Sequence, residues 1–229
     1  MKYPDIEPRI LDEWQEITNL VAGMCHVPVA LVMRNNAETM EVMSASQHAD
    51  SPYKAFETAP LNGELYCETV IKTQQPLHVP NALKDPDWDH NPDIALGMIS
   101  YYGVPVNWPD GFPFGTLCIL DKVEKTASAE EQKLIKQFGH VLELTLELVA
   151  SNYELNTRNG ELLQAMATIK TISGVVPLCA WCHQSIRDGA GEWVKLEAYF
   201  ERHTDAHLSH GMCPGCRTEF MRKRREPQA

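Results

Sequence analysis

The chain has 229 residues, 44% of them hydrophobic, enough for one substantial core and a smaller accessory module. Its formal net charge of -11 opposes broad contact with a nucleic-acid backbone, which is read through surplus Lys and Arg. The opening stretch MKYPDIEPRILDEWQEI is charged throughout and lacks the apolar run of a secretion signal or membrane span, so a cytoplasmic protein without membrane contact is expected. In that compartment the seven cysteines are expected to be reduced thiols or metal ligands rather than structural disulfides.

In chain order, Ile10, Leu11, Trp14, Ile17, Leu20, Val21 and Met24 form one helical stripe, with Cys25 on its apolar face. VPVALVMRN and MEVMSAS follow as a hairpin turning at Asn35-Asn36. ELYCETVIKTQQ predicts a short helix closed by Pro76, then a brief strand, LHVP. NALKDPDWDHNPD carries turn residues and almost no apolar periodicity, so it reads as a loop. ISYYGVPV and FGTLCILD read as two strands joined through NWPDGFP. From Ser128 a strongly periodic helix begins, with Glu130 and Glu131 in its first turn. The order predicts an α+β domain: one antiparallel sheet, helices packed on one side, and a long loop roofing the other.

The progression YCETVIKTQQPLHVPNALKDPDWDHNP followed by ISYYGVPVNWPDGFPFGTLCILD resembles a GAF domain, over roughly residues 8 to 149. The resemblance implies a sensor fold for a small ligand or a protein partner. It leaves the ligand unknown, because this fold hosts cyclic nucleotides, bilins, haem or nothing. Some GAF-fold proteins reduce free methionine sulfoxide with cysteines, but the surroundings of the cysteines here do not resemble that motif.

Candidates for lining a pocket are Cys67, Trp88, His90, Tyr101 and Tyr102. Trp88 and His90 lie in the roof loop, and strand alternation sends only one of Tyr101 and Tyr102 inward. The competing reading has these aromatics filling the core with no cavity left. Cys118 reads as a small buried hydrophobe within its strand. Cys67 lies near a helix start, which favours a thiolate, yet no Lys, Arg or His adjoins it in sequence. A structural role is therefore favoured over reactivity.

Val141, Leu148, Leu155, Leu162 and Ile169 recur every seven residues, with Thr145, Asn152, Asn159 and Met166 on the second seam. That repeat predicts a left-handed coiled coil and a parallel homodimer, and polar Asn on the seam fixes the pairing. The alternative folds this helix back on its own sheet, which accounts for 141 and 148 but not for 155 to 169. Gly160 weakens the helix by about 1 kcal/mol relative to Ala and marks a candidate joint.

CAWCH, residues 179 to 183, has the form of a c-type haem attachment site. A second thiol pair, in HGMCPGC, and the expected compartment both oppose covalent haem. Cys179, Cys182, Cys213 and Cys216 instead suit tetrahedral zinc, and a module of this size needs a cross-link to compensate for its small core. An iron-sulfur cluster and a cycling dithiol are the rival chemistries. His183, His203, His207 and His210 stand as substitute ligands, His210 best placed among them.

Residues 172 to 216 also resemble a short module found at the C-terminal end of bacterial signalling proteins, behind receiver, PAS or GAF domains. His183-Gln184 stands where that pattern has Lys-Lys.

The expected layout is a GAF-like sensor over 1–149, a coiled-coil linker helix over 150–172, a zinc-ribbon-like module over 173–220 and a basic disordered tail over 221–229. No catalytic constellation is visible, and output is expected to pass to a protein partner. The alternative reading is a thiol redox enzyme or redox sensor that uses the CxxC pairs.

Overall fold

The computed structural model describes residues 3–168, 176–204 and 208–225. Contacts divide the chain into two units, Met1–Thr157 and Arg158–Ala229.

The first unit is built on helix α1 (Pro8–Cys25), strands β1 (Val29–Asn35), β2 (Thr39–Ala45) and β3 (Thr58–Pro60), helix α2 (Tyr66–Thr73), strands β4 (Leu77–Val79), β5 (Ser100–Asn107) and β6 (Pro113–Asp121), and helix α3 (Ala129–Thr168). The strands form one sheet in the order β3-β2-β1-β6-β5-β4, antiparallel at every pairing. Its centre is β1 against β6, the two β-branched runs of the sequence.

Period-two alternation sorts the side chains of these strands onto two faces. Ala30, Val32, Tyr102, Val104, Leu117 and Ile119 pack with Trp14, Val21 and Cys25 of α1 and with Ile135, Leu142 and Leu146 of α3. Leu31, Met33, Tyr101, Cys118 and Leu120 pack on the opposite face with Tyr66, Cys67 and Val70 of α2. The expectation that helices occupy one side only is thus corrected: α2 shares the roofed face with the loops. It is a helix of eight residues with too narrow an apolar stripe to reach the larger core. On α1, Leu20 and Met24 lie outside the buried stripe, and Thr18 and Ala22 take their places in it.

Two close approaches hold the sheet. A Cβ at Gly115 would sit 1.7 Å from the Met33 carbonyl oxygen, so β6 approaches β1 here only because no side chain intervenes. A Cβ at Gly103 would lie 2.1 Å from the Tyr101 hydroxyl, which leaves the Tyr101 ring free to lie along its own strand.

Helix α3 is continuous through Thr168, with no break between 149 and 150 or at Gly160. Ile169 and the rest of the expected linker to 172 lie outside the described residues.

In the second unit, β7 (Ser185–Arg187) and β8 (Trp193–Lys195) form a hairpin, followed by α4 (Leu196–His203) and α5 (Pro214–Arg225). The basic stretch expected as a disordered tail from 221 continues α5 as far as Arg225, where the helix carries an i,i+4 pair between Glu219 and Lys223. Residues 226–229 lie outside the described residues. Among the described residues no helix is long and apolar enough to cross a membrane.

Candidate functional site

A cavity of about 240 Å³ lies on the α2 face of the sheet. Its walls are mostly apolar, from Leu31 and Met33 of β1, Met40 and Val42 of β2 and Leu120 of β6. The lining runs from exposed Thr58, Pro92 and Leu96 down to buried Cys67, Tyr101 and Cys118, so the space leads from solvent to two thiols.

The roof is held by side-chain caps. Asn81 accepts from the Leu83 N–H to start one 3-10 turn, and Asn91 accepts from the Asp93 N–H to start a second, Pro92–Leu96. The Asn91 amide also donates to the Glu64 carbonyl at 2.7 Å, which ties the roof to the entry of α2. This places Asp93 at the cavity, where it accepts from the Tyr53 hydroxyl at 2.8 Å. Burial raises the Asp93 carboxyl above its ordinary range, and the Tyr53 hydrogen bond opposes that rise.

Tyr66 stacks on Tyr101 with ring centroids 4.6 Å apart, and its hydroxyl is buried with no hydrogen-bond partner among the described residues. A buried, unpartnered phenol costs free energy unless something meets it.

At the inner end, Cys67 Sγ accepts from the Thr116 hydroxyl at 3.2 Å and lies 3.6 Å from the Tyr101 hydroxyl. Cys118 adjoins it in the lining of the same cavity. The neighbouring Cys118 thiol is the largest influence on Cys67 and lowers its pKa, against the opposing effect of burial. Cys118 moves up for the complementary reason, with its neighbour Cys67 the largest cause and burial the next.

Of the sequence candidates, Cys67 and Tyr101 line the cavity. Tyr102 does not: alternation sends it to the opposite face, edge-on to His78 at 5.6 Å. Trp88 packs against Tyr66 at 4.8 Å, behind the lining. His90 is exposed and pairs with Asp89 at 3.2 Å. Tyr53, Tyr66, Asp93 and Thr116 went unread. Only Asp93 had a local signal, the Asn-Pro-Asp run that caps its turn.

In the second unit each cysteine pair forms a compact turn. Before β7, the Cys179 N–H donates to the Ser185 carbonyl at 2.8 Å, the His183 N–H donates to Cys179 O at 3.0 Å, and His183 adopts a left-handed φ of 55°. Backbone N–H groups of Gln184 and Ser185 aim at Cys182 and bring its thiol down to about 7, with Gln184 the largest cause. Cys213 accepts from the Cys216 N–H at 3.4 Å where α5 begins, and is lowered chiefly by that bond.

One thiol of each pair, Cys182 and Cys213, therefore has the donor-lined surroundings that suit a soft divalent metal. Among the described residues, no group of three or more His, Cys, Asp or Glu side chains converges, so the pairs are formed but not gathered. Of the substitute ligands, His210 is paired with Glu197 at 3.1 Å, and His203 is stacked on Tyr199 at 4.1 Å. His207 lies outside the described residues.

Residues 10–146 match the GAF domain family, and the chain belongs to it. GAF domains are ligand-binding domains of signalling proteins, and the fold above is that of this class. No curated protein matched the chain. Among solved structures, the phycoerythrobilin-bound GAF domain of a cyanobacterial phytochrome is similar with a TM-score of 0.54 at 12% identity, covering 64% of this chain and 89% of that one. The phycocyanobilin-bound GAF domain of a cyanobacterial phytochrome gives 0.52 at 12%, covering 63% and 86%. A type II free methionine-R-sulfoxide reductase from Thermoplasma acidophilum gives 0.50 at 11%, covering 62% and 96%. At these identities the likeness is one of fold.

Proposed function

We propose that this GAF chain is a cytoplasmic sensory or regulatory component of signal transduction. A compact ligand enters the α2-face cavity, α3 relays its presence through a parallel homodimer, and a metal-stabilised CxxC module hands it to a protein partner. The supporting observation is the cavity itself: apolar walls, a buried Tyr53–Asp93 pair and the unpartnered Tyr66 hydroxyl. Its volume of about 240 Å³ is below the roughly 300 Å³ at which ordinary ligand pockets begin, so the ligand is small, mostly apolar and carries one polar group. Mass analysis of what co-purifies with the chain tests this. A bound small molecule lost on Leu31→Trp, which fills the cavity, supports the reading; an empty cavity whose filling leaves dimer state and partner binding unchanged removes it.

The relay is supported by the exposure of the heptad positions: Leu148 is 66% exposed, Leu155 54% and Leu162 60%. Apolar side chains at seven-residue spacing on a continuous helix are what a coiled-coil seam needs. Leu155→Asp and Leu162→Asp should yield monomers in sedimentation, and an unchanged mass would remove the dimer.

For the C-terminal module, zinc on Cys179, Cys182, Cys213 and Cys216 is proposed as structural. The lowered Cys182 and Cys213 thiols and their N–H donors suit such an ion. The same lowered thiols favour the second reading, a cycling dithiol. Metal analysis separates the two: one zinc per chain lost in Cys182→Ser supports the first, and metal-free protein with a titratable couple supports the second.

A further inference from the structure

Three of the seven cysteines are buried in the first unit, and they are not equivalent. Cys25 sits in the larger core with no hydrogen-bond donor aimed at it, and burial pushes its thiol up to about 11. Cys67 accepts from the Thr116 hydroxyl, lies 3.6 Å from the Tyr101 hydroxyl and shares the cavity lining with Cys118. A thiol that merely fills space needs none of them. Hydroxyl groups set around a sulfur stabilise its anion, and the anion is the nucleophile.

The partner thiol comes from a different element. Cys67 stands in the first turn of α2 and Cys118 in the middle of β6, opposite Gly103 of β5. Both line the inner end of the cavity, whose remaining walls are mostly apolar, with Glu57, Thr58 and Asp93 among them. A hydrogen-bonded sulfur, a second sulfur in the same lining, and a mostly apolar cavity reaching exposed residues are thus assembled in one place.

We infer that Cys67 and Cys118 form a peroxide-responsive thiol pair, with Cys67 the attacking sulfur, Cys118 the resolving one, and a small organic hydroperoxide the oxidant. The Cys67 thiolate attacks the terminal oxygen of the hydroperoxide. The O–O bond breaks, and the alkoxide departs as the alcohol after taking a proton from water. This leaves Cys67 as the sulfenic acid. Cys118 sulfur then attacks the Cys67 sulfur, the hydroxyl leaves with the Cys118 proton as water, and a Cys67–Cys118 disulfide forms. Two thiols have lost two electrons and the peroxide has gained them. The apolar walls favour an alkyl hydroperoxide over hydrogen peroxide, because the alkyl group gains by leaving water. The inference rests on the reading of this cavity as the sensory site and supplies its chemistry.

The test uses the full chain, tert-butyl hydroperoxide as probe, and non-reducing peptide maps. The wild type should lose two hydrogens and yield a Cys67–Cys118 linked peptide. Cys118→Ser should stop at a Cys67 sulfenic acid trapped by dimedone, while Cys25 stays unlabelled in the same sample. Thr116→Val keeps shape and removes one donor, so it should slow Cys67 oxidation by about tenfold with folding intact. A folded Cys118→Ser protein with unlabelled Cys67 overturns the inference, as does a peroxide that oxidises only the CxxC thiols. Oxidation at Cys67 that leaves dimer state and partner binding unchanged supports the inference and removes the sensory reading. A bound natural ligand beside an inert Cys67 does the reverse.

Discussion

Every fully buried apolar residue of the described chain but one lies in the first unit, and the exception in the second is Ile186. In the second unit Trp181 is 94% exposed and Trp193 56%, although aromatic side chains are the largest source of burial a small module has. The first unit encloses Trp14, Tyr66, Phe114 and Leu117 completely. The cysteines follow the same division. Those of the first unit are buried, Cys67 and Cys118 at the inner end of the cavity, and those of the second stand in turns near solvent with backbone N–H donors around them. One unit draws its stability from apolar area, while the other offers thiolates in its place.

Chelation should break that contrast most sharply. If zinc on the two pairs holds the second unit, removing it forfeits on the order of 10 kcal/mol of folding free energy, more than so small a core supplies. Hydrogen exchange should then show β7, β8 and α4 losing protection together, with the sheet of the first unit untouched. Protection retained in both units after metal removal would refute the contrast.

Within the first unit, the two close approaches differ in what must give way. At Gly115 the obstacle is backbone, the Met33 carbonyl, so Gly115→Ala has to separate β1 from β6 and should cost about 3 kcal/mol in urea unfolding. At Gly103 the obstacle is the Tyr101 ring, which can swing away. Gly103→Ala should cost about 1–2 kcal/mol and also withdraw the Tyr101 hydroxyl from Cys67. Equal costs for the two substitutions would mean that the sheet, not the ring, absorbs both.

The sheet was legible because its strands announce themselves by alternation, and the same rule divided Tyr101 from Tyr102. Strand β3 was not, since three residues ending in Pro60 carry too little pattern at a sheet edge. Trp88 and His90 drew attention by residue type, yet the loop's inward-facing polar group is Asp93, fixed by a hydroxyl forty positions away in sequence. The donors on Cys67 come from β5 and β6, forty-nine positions away for Thr116. A search of its own neighbourhood for a Lys, Arg or His could not find them. The CxxC pairs were plain from spacing alone, but their convergence depends on the intervening chain, and among the described residues they do not converge.

The smallest expected effect separates titration from packing at the join of the sheet and α3. His78 on β4 accepts from the Ala127 N–H through Nε2 at 3.1 Å, just before α3 begins. Only a neutral ring can accept there. Burial lowers the His78 pKa below its ordinary 6.5. An unfolded chain takes up this proton at the ordinary value, so the unfolded state binds more protons once the pH falls below it. The His78 contribution is therefore complete above pH 6.5, declines as the pH drops toward the folded value, and is constant below it. The ring is only partly buried, so solvent screening keeps the amount under about 1 kcal/mol. His78→Gln retains an acceptor but has no proton to gain. It should lower stability by a constant amount, through the lost edge contact with Tyr102, and flatten the acid slope relative to wild type. Thermal midpoints of the two proteins between pH 7.5 and 5 would show curves that converge toward acid. Parallel curves would mean that folding does not move the His78 pKa.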